Sequence, residues 1–90
     1  MRIDKFLNIV NITKRRTVAQ DMINNQVIKI SGIPVKASRN VKIGDIIEIA
    51  YLDTPRFFEI LQIPIKKTIK KEESYLYYKE IQKPDQGKTK

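Results

Sequence analysis

Three consecutive cations, Lys14, Arg15 and Arg16, stand directly before Thr17, where a stretch with helical spacing begins. The first amides of a helix have no partner within it and carry partial positive charge, so helix stability does not require cations there. A phosphate group suits this place, because it accepts hydrogen bonds from guanidinium groups and helix amides together. The cluster therefore predicts an anion-binding corner, and the alternative is a solvated basic loop.

The overall charge favours the anion-binding interpretation. Eighteen Lys and Arg against ten Asp and Glu give a formal charge of +8 on 90 residues, which indicates a polyanionic partner such as nucleic acid. The sequence contains no cysteine and no histidine, which excludes a disulfide framework, a zinc–thiolate site, a thiol nucleophile and the commonest general base. No Gly-rich phosphate-binding loop pattern occurs either. We therefore expect no catalytic site, no metal and no cofactor.

Two helices are predicted to position these cations. The apolar residues that recur with helical spacing near the N-terminus are Ile3, Phe6, Leu7 and Val10. The apolar residues of the second helix are Val18, Ala19, Met22 and Ile23. Thr17 and Gln20 are spaced as in a capping box at its start. Asn24 and Asn25 are expected to end it, because Asn tolerates the left-handed cap geometry.

The middle of the chain has the alternation and turn chemistry of strands. Four short strands are expected, at residues 27–30, 35–37, 46–49 and 56–61. Gly32 and Gly44 lie in turn signals between them, where a positive φ is useful. Phe57 and Phe58 are adjacent, so they face opposite sides of a strand and at least one is expected in the core.

From Lys66 the composition shifts to good helix formers with a weak apolar face that ends at Ile81. The sequence thus predicts an α+β fold, in which two N-terminal helices pack on a small, mainly antiparallel sheet of about four to five short strands, followed by a short C-terminal helix. We divide the chain into an N-terminal domain, residues 1–65, and a basic C-terminal helix and flexible tail, residues 66–90. The absence of a long apolar run predicts a soluble cytoplasmic protein.

Four motifs follow one another in the first half of the chain. They are Arg2-Ile3-Asp4-Lys5-Phe6-Leu7, Arg16-Thr17-Val18-Ala19, a strand ending in Ser31-Gly32, and Val41-Lys42-Ile43-Gly44-Asp45. In this order and spacing they resemble the RNA-binding domain named after small-subunit ribosomal protein four, which implies the same fold and RNA binding by residues 1–65. That family usually has glycine after the second helix, where this sequence has Gln26. Asn25 is then expected to supply the left-handed residue.

Further segments extend the resemblance along the chain: Lys14-Arg15-Arg16-Thr17, Val35-Lys36-Ala37-Ser38 and Lys70-Lys71-Glu72-Glu73. With the short length, they resemble the family of the bacterial ribosome-associated quality-control factor RqcP, a relative of the fifteen-kilodalton heat-shock protein. The resemblance implies binding to rRNA and peptidyl-tRNA on the obstructed large ribosomal subunit. It also implies assistance to RqcH, which delivers alanyl-tRNA, in adding an alanine tail to the stalled chain. We expect a ribosome-associated monomer with neither a membrane nor DNA as a partner.

The resemblance assigns RNA contact first to Arg2 and Arg16, which match the basic motif of the family. The other candidate RNA-binding residues are Lys5, Lys14, Arg15, Lys36 and Arg39. Solvation alone is the alternative for the last two. Asp4 holds the acidic position of the motif, and we expect it to orient a neighbouring arginine rather than to contact RNA.

The sequence is also compatible with other functions. In the same fold, a heat-shock-type factor repositions tRNA on dissociated large subunits, and a generic module binds structured RNA. The domain also accompanies pseudouridine synthases and RNA methyltransferases, but 90 residues leave no room for their catalytic domain. A DNA-binding regulator would need base-reading side chains on a helix-turn-helix, which the sequence does not indicate.

The C-terminal segment mixes aromatic rings with cations, a combination that can stack on nucleotides. The rings are Tyr75, Tyr77 and Tyr78, and the neighbouring cations are Lys70, Lys71 and Lys79. Docking of this segment on the domain is the favoured explanation for the rings.

Overall fold

The computed structural model describes residues 1–50 and 54–82, in which two helices precede the five strands of one sheet. Helix α1 spans Ile3–Ile9 and helix α2 spans Arg16–Asn24. The apolar stripe predicted for the first helix is buried as expected, with its last member, Val10, at the end of α1. Within the described ranges, the structure contains no helix with the length and apolarity needed to cross a membrane.

The start of α2 differs from the prediction. The helix begins at Arg16 after an extended Arg15, and no side chain caps its amides. Gln20 forms no capping box with Thr17, because its Nε2 atom donates to Oδ2 of Asp4 at 3.0 Å. A carboxylate is a strong hydrogen-bond acceptor, so the Gln20 amide is held by Asp4 instead of by the helix end.

The end of α2 also corrects the sequence prediction. Asn25 has a φ of −88°, and the left-handed residue is Gln26 itself, with a φ of +61°. Gln26 N–H donates to the carbonyl of Ile23, and Val27 N–H donates to the carbonyl of Met22, both at 2.9 Å. These two bonds form a Schellman cap, which requires the left-handed conformation at the position of Gln26.

The sheet is antiparallel between all neighbouring strands, in the order β2-β1-β3-β4-β5. The strands are β1 at Ile28–Ile30, β2 at Ile33–Pro34, β3 at Ile46–Ala50, β4 at Pro55–Ile60 and β5 at Tyr78–Ile81. The two helices pack on this sheet, which confirms the predicted α+β architecture.

The partner of β1 lies two residues earlier than the strand expected at residues 35–37. Ser31 and Gly32 both have positive φ, and this two-residue turn places Ile33 directly opposite Ile30. Such turns match the twist of the strands that they join, so pairing begins at once. Val35 follows the end of β2, donates its N–H to the carbonyl of Ile28 at 3.3 Å, and has its side chain buried in the core.

The core lies between the helices and the sheet. Its fully buried apolar side chains include Ile3, Phe6, Leu7, Ile28, Ile47, Ile49 and Ile60. Both Phe57 and Phe58 are buried, which satisfies the expectation that at least one of them packs inside.

The C-terminal segment forms a 3₁₀ helix at Lys71–Leu76 and then β5, where the sequence predicted a helix reaching Ile81. Pairing with β4 overrides the local helix propensity, and the Tyr78 ring meets the Phe58 ring edge-on at 5.6 Å between centroids. Ile69 is buried in the same core as the helices, so this part of the C-terminal segment packs against the N-terminal domain. The division into residues 1–65 and 66–90 stays a prediction. The predicted tail, residues 83–90, lies outside the described residues.

Candidate RNA-binding surface

Asp4, in the first turn of α1, is fully buried and accepts hydrogen bonds from four residues. Its Oδ1 atom accepts from the backbone N–H of Lys5 at 2.7 Å. Its Oδ2 atom accepts from Arg2 Nη2 at 3.2 Å, from Arg16 Nε at 3.2 Å and from Gln20 Nε2 at 3.0 Å. A buried carboxylate is tolerated only when it is paired and hydrogen-bonded, and these contacts meet that requirement.

The two arginine side chains lie at the boundary between this buried carboxylate and solvent. Arg2 and Arg16 are 47% and 42% exposed, whereas Asp4 has no exposed surface. A guanidinium carries five N–H donors, so Asp4 uses only part of the capacity of each. Asp4 therefore fixes two guanidinium groups side by side while leaving them accessible to an anion, as expected for an orienting acid.

The protonation of Asp4 follows from these contacts. Burial alone would raise the pKa of Asp4, because it disfavours the charged form. The hydrogen bonds from Gln20, Arg16 and the Lys5 backbone act in the opposite direction and hold the pKa below its ordinary value. Asp4 is therefore ionised at neutral pH, as the two ion pairs require.

The backbone places Arg39 beside Arg2. Ile3 N–H donates to the carbonyl of Arg39 at 2.7 Å, and Arg2 forms an antiparallel bridge with Asn40. Arg39 N–H in turn donates to the carbonyl of Lys36 at 2.9 Å, which closes a turn after β2. The structure thus joins the turn that carries Lys36 and Arg39 to the start of α1.

Three of the remaining predicted cations are exposed, one within α1 and two in the loop before α2: Lys5, Lys14 and Arg15. Two side chains, one in α1 and one in the loop itself, hold the α1–α2 loop in place by hydrogen bonds. Asn8 Nδ2 donates to the carbonyl of Lys14 at 3.3 Å, and Thr13 Oγ1 donates to the carbonyl of Arg15 at 3.2 Å. We define the basic surface as the seven predicted cations: Arg2, Lys5, Lys14, Arg15, Arg16, Lys36 and Arg39.

This arrangement suits an anion and not a metal ion. Among residues 1–50 and 54–82, no three or more acidic side chains group together in a way that would hold a metal. Asp4, the one buried carboxylate among the described residues, already accepts hydrogen bonds from arginine and glutamine donors. Phosphate groups are the anions that arginine forks recognise with two parallel hydrogen bonds.

Gln20 is the site residue that sequence reasoning assigned wrongly. It lies four residues after Arg16 in α2, so both side chains are on one face of the helix. That spacing within α2 was the available signal that Arg16 and Gln20 share a partner.

Comparisons with known proteins show what this chain is similar to. The S4 domain matches residues 1–47, which contain both helices, β1 and β2. A protein of Helicobacter pylori (strain ATCC 700392 / 26695) named RQC P-site tRNA stabilizing factor is 44% identical over 77 residues, covering 86% of this chain and 92% of its own. Proteins of the same name are 36% identical in Streptococcus pneumoniae, covering 90% of both chains, and 36% identical in Bacillus subtilis, covering 87% of this chain and 88% of the relative.

Solved structures show the same fold. A trimeric heat shock protein 15 of Vibrio cholerae has a TM-score of 0.80 at 25% identity, covering 90% of this chain and 81% of the other. The solution structure of a protein described as hypothetical has a TM-score of 0.78 at 42% identity, covering 93% of this chain and 100% of the other. The shared motifs, the matched S4 domain and the identity to these relatives show that the chain belongs to the S4-domain family of RQC P-site tRNA stabilizing factors.

Proposed function

We propose that this protein binds and stabilises P-site tRNA during ribosome-associated quality control. It contacts rRNA and peptidyl-tRNA on the obstructed large subunit and assists RqcH in adding the C-terminal alanine tail. The observation that carries the proposal is the buried Asp4 that holds Arg2 and Arg16 side by side at the surface. The names of the relatives support the tRNA as the partner.

Three physical reasons favour RNA as the partner. Structured RNA is recognised mainly by shape and by its phosphates and 2′-hydroxyls, which arginine forks contact well. The two guanidinium groups already share one carboxylate, so binding costs less side-chain freedom than it does for unrestrained arginines. The formal charge of +8 adds a long-range attraction to any polyanion.

In this proposal Arg2 and Arg16 contact phosphates, and the other five cations of the basic surface extend the contact. Asp4 and Gln20 position the arginines without touching RNA. We infer that the protein acts as a monomeric binding factor and not as an enzyme, because the site supplies charge and shape rather than a nucleophile with a base beside it.

Sedimentation of lysate through a sucrose gradient at physiological salt tests the ribosomal part of the proposal. We expect the wild-type protein to migrate with large subunits and the Arg16→Ala variant to remain in the free fractions. Lys79→Ala is the matched control, because it also removes one cation but from β5, where Lys79 pairs with Glu59. A wild-type protein found only in free fractions would contradict the proposal.

A heat-shock-type role is the second candidate, and the likeness to heat shock protein 15 favours it. Such a factor would bind the same subunit but reposition the tRNA, so sedimentation alone does not separate the two roles. Alanine tailing does, because only the quality-control role requires the protein for tail addition. Normal levels of alanine tails in a deletion strain would favour the heat-shock-type role.

A further inference from the structure

A second group of cations lies outside the basic surface, in the segment that leads into the 3₁₀ helix. Lys66, Lys67, Lys70 and Lys71 are all exposed, and no ion pair in the described part of the chain involves them. Glu72 and Glu73, in the first turn of the 3₁₀ helix, offset part of this charge. We call these four lysines, together with Tyr75, the C-terminal basic surface.

The core anchors this segment, so the lysines are not carried by a loose tail. Ile69, which stands between the two lysine pairs in the sequence, is buried. Asn11, just after α1, donates through Nδ2 to the carbonyl of Ile69 and to Oγ of the buried Ser74, both at 2.8 Å. Leu61 N–H donates to the carbonyl of Tyr77 at 2.8 Å, which holds the end of the 3₁₀ helix against the chain that follows β4.

Tyr75 is the unusual member of this surface. Its neighbours Tyr77 and Tyr78 are half-buried and pack against the core, whereas Tyr75 is 68% exposed. A tyrosine ring that gains little from burial contributes little to the fold. Tyr75 follows Lys70 and Lys71 within five residues of the chain. Proteins stack unpaired bases on exposed aromatic rings while nearby cations follow the phosphates.

The two surfaces lie at opposite ends of α1. Asp4, in the first turn, holds the arginines of the basic surface, and Asn11, after the last turn, holds the C-terminal segment. The seven residues of α1 span about 10 Å at 1.5 Å per residue. The two surfaces therefore adjoin the two ends of one short helix, so a single RNA can contact both.

We propose that the C-terminal basic surface binds unpaired nucleotides of RNA, with one base stacked on Tyr75 and the flanking phosphates near Lys70 and Lys71. This inference rests on the proposed function. It adds a second contact of different chemistry, made to single-stranded RNA instead of helical RNA. A folded RNA with a loop next to a helix, or two RNA elements brought together, would engage both surfaces.

Fluorescence anisotropy with the full chain tests the proposal, using a labelled RNA hairpin with an unpaired loop and a fully paired duplex of the same stem. We expect Tyr75→Ala to weaken hairpin binding by roughly 5- to 150-fold, the worth of one stacked base, and to leave duplex binding unchanged. Tyr75→Phe, which keeps the ring, should bind as the wild type does. Leu76→Ala, next to Tyr75 and partly exposed, is the control for loss of apolar surface without a ring.

The lysines are tested through the salt dependence of hairpin binding. The double variant Lys70→Gln, Lys71→Gln should lower the magnitude of the log–log slope by about 1.4, because each single-strand phosphate contact contributes about 0.7. Lys79→Gln, which removes a lysine already paired with Glu59, should leave the slope unchanged.

The outcomes separate this inference from the proposed function. If Arg16→Ala weakens both RNAs while Tyr75→Ala and the double lysine variant weaken neither, the proposed function stands and the second surface is refuted. If the wild-type protein binds neither RNA, both proposals fail.

Discussion

Arg16 Nε lies 3.2 Å from Oδ2 of the fully buried Asp4, so the first residue of α2 is tied to the first turn of α1 by an ion pair. The contact joins two motif segments that are separate in the sequence. It also sets the direction in which the Arg16 guanidinium faces solvent. The same side chains therefore hold the helices together and shape the candidate RNA-binding surface.

Replacing Asp4 with asparagine tests this double role. Asp4→Asn removes the charge that both arginines share and places an amide donor next to their N–H groups. We expect a loss of about 1–3 kcal/mol in the free energy of unfolding, the usual cost of a buried polar group that loses its partners. RNA binding should also weaken, because Arg2 and Arg16 are no longer held in place.

Urea unfolding and RNA titration measure the two effects. Asp21→Asn is the matched control, because it makes the same charge change at an exposed position of α2. A variant at Asp4 with wild-type stability and wild-type RNA affinity would show that the arginines need no orienting group.

The lowered pKa of Asp4 predicts a pH dependence of stability. Because the folded-state pKa lies below the unfolded value of about 3.9, the unfolded chain binds more protons between the two values, and stability rises with pH there. The contribution of Asp4 is complete above that unfolded value and is lost as pH falls through the folded pKa. The stability difference between wild type and Asp4→Asn should therefore shrink below about pH 4.

Urea midpoints at pH 7, 4 and 3 measure this difference. Glu80 also has a lowered pKa, because Arg56 donates hydrogen bonds to it, so Glu80→Gln serves as a second background. The pH-dependent difference in stability caused by Asp4→Asn should also be present when Glu80 is replaced. A wild-type advantage that stays constant from pH 7 to pH 3 would argue against an ionised, stabilising Asp4.

Gln20 is predicted to act on the arginines through Asp4. Gln20→Ala removes the 3.0 Å hydrogen bond to Oδ2, so the pKa of Asp4 should rise toward its ordinary value. Stability should fall by about 1 kcal/mol, the net worth of one hydrogen bond. NMR titration of the Asp4 carboxyl carbon measures the pKa, and Gln62→Ala, at an exposed position, is the control. If the pKa of Asp4 is the same in Gln20→Ala as in the wild type, Gln20 has no positioning role.

Local patterns explain what the sequence predicted well. The spacing of Ile3, Phe6 and Leu7 is a property of one helix, and the turn at Gly44 is a property of a few residues, so neither depends on distant contacts. The exposure of the seven cations of the basic surface also agrees with the sequence analysis. Their binding to RNA stays a prediction.

Tertiary contacts explain what the sequence did not predict. Residues 71–81 have the composition of a helix, yet Tyr78–Ile81 becomes a strand because β4 offers an unpaired edge to it. Likewise, the partner of Gln20 is an aspartate in another helix, whereas the capping-box pattern considers only neighbours along the chain.

Asn11 is predicted to control the anchoring of the C-terminal segment. Its side chain makes both hydrogen bonds to the 69–74 region, and its own φ is +69°. Asn11→Gly removes the side-chain hydrogen bonds but tolerates this φ, whereas Asn11→Ala adds strain of about 1–2 kcal/mol. Both variants should speed hydrogen exchange of the amides around Tyr77, and only the alanine variant should carry the additional loss of stability. Unchanged exchange in both would mean that the buried Ile69 anchors the segment alone.

Gln26 occupies the left-handed position of the Schellman cap, where any side chain with a Cβ is strained. Its side chain is exposed, so replacing it removes little packing. Gln26→Gly should therefore raise the free energy of unfolding by up to about 1 kcal/mol, while Gln26→Val should lower it, because β-branched residues resist positive φ. Thermal unfolding of the three proteins measures the order. A Gln26→Gly protein no more stable than the wild type would contradict this prediction. It would mean that the greater freedom of glycine in the unfolded chain cancels the gain from relieved strain.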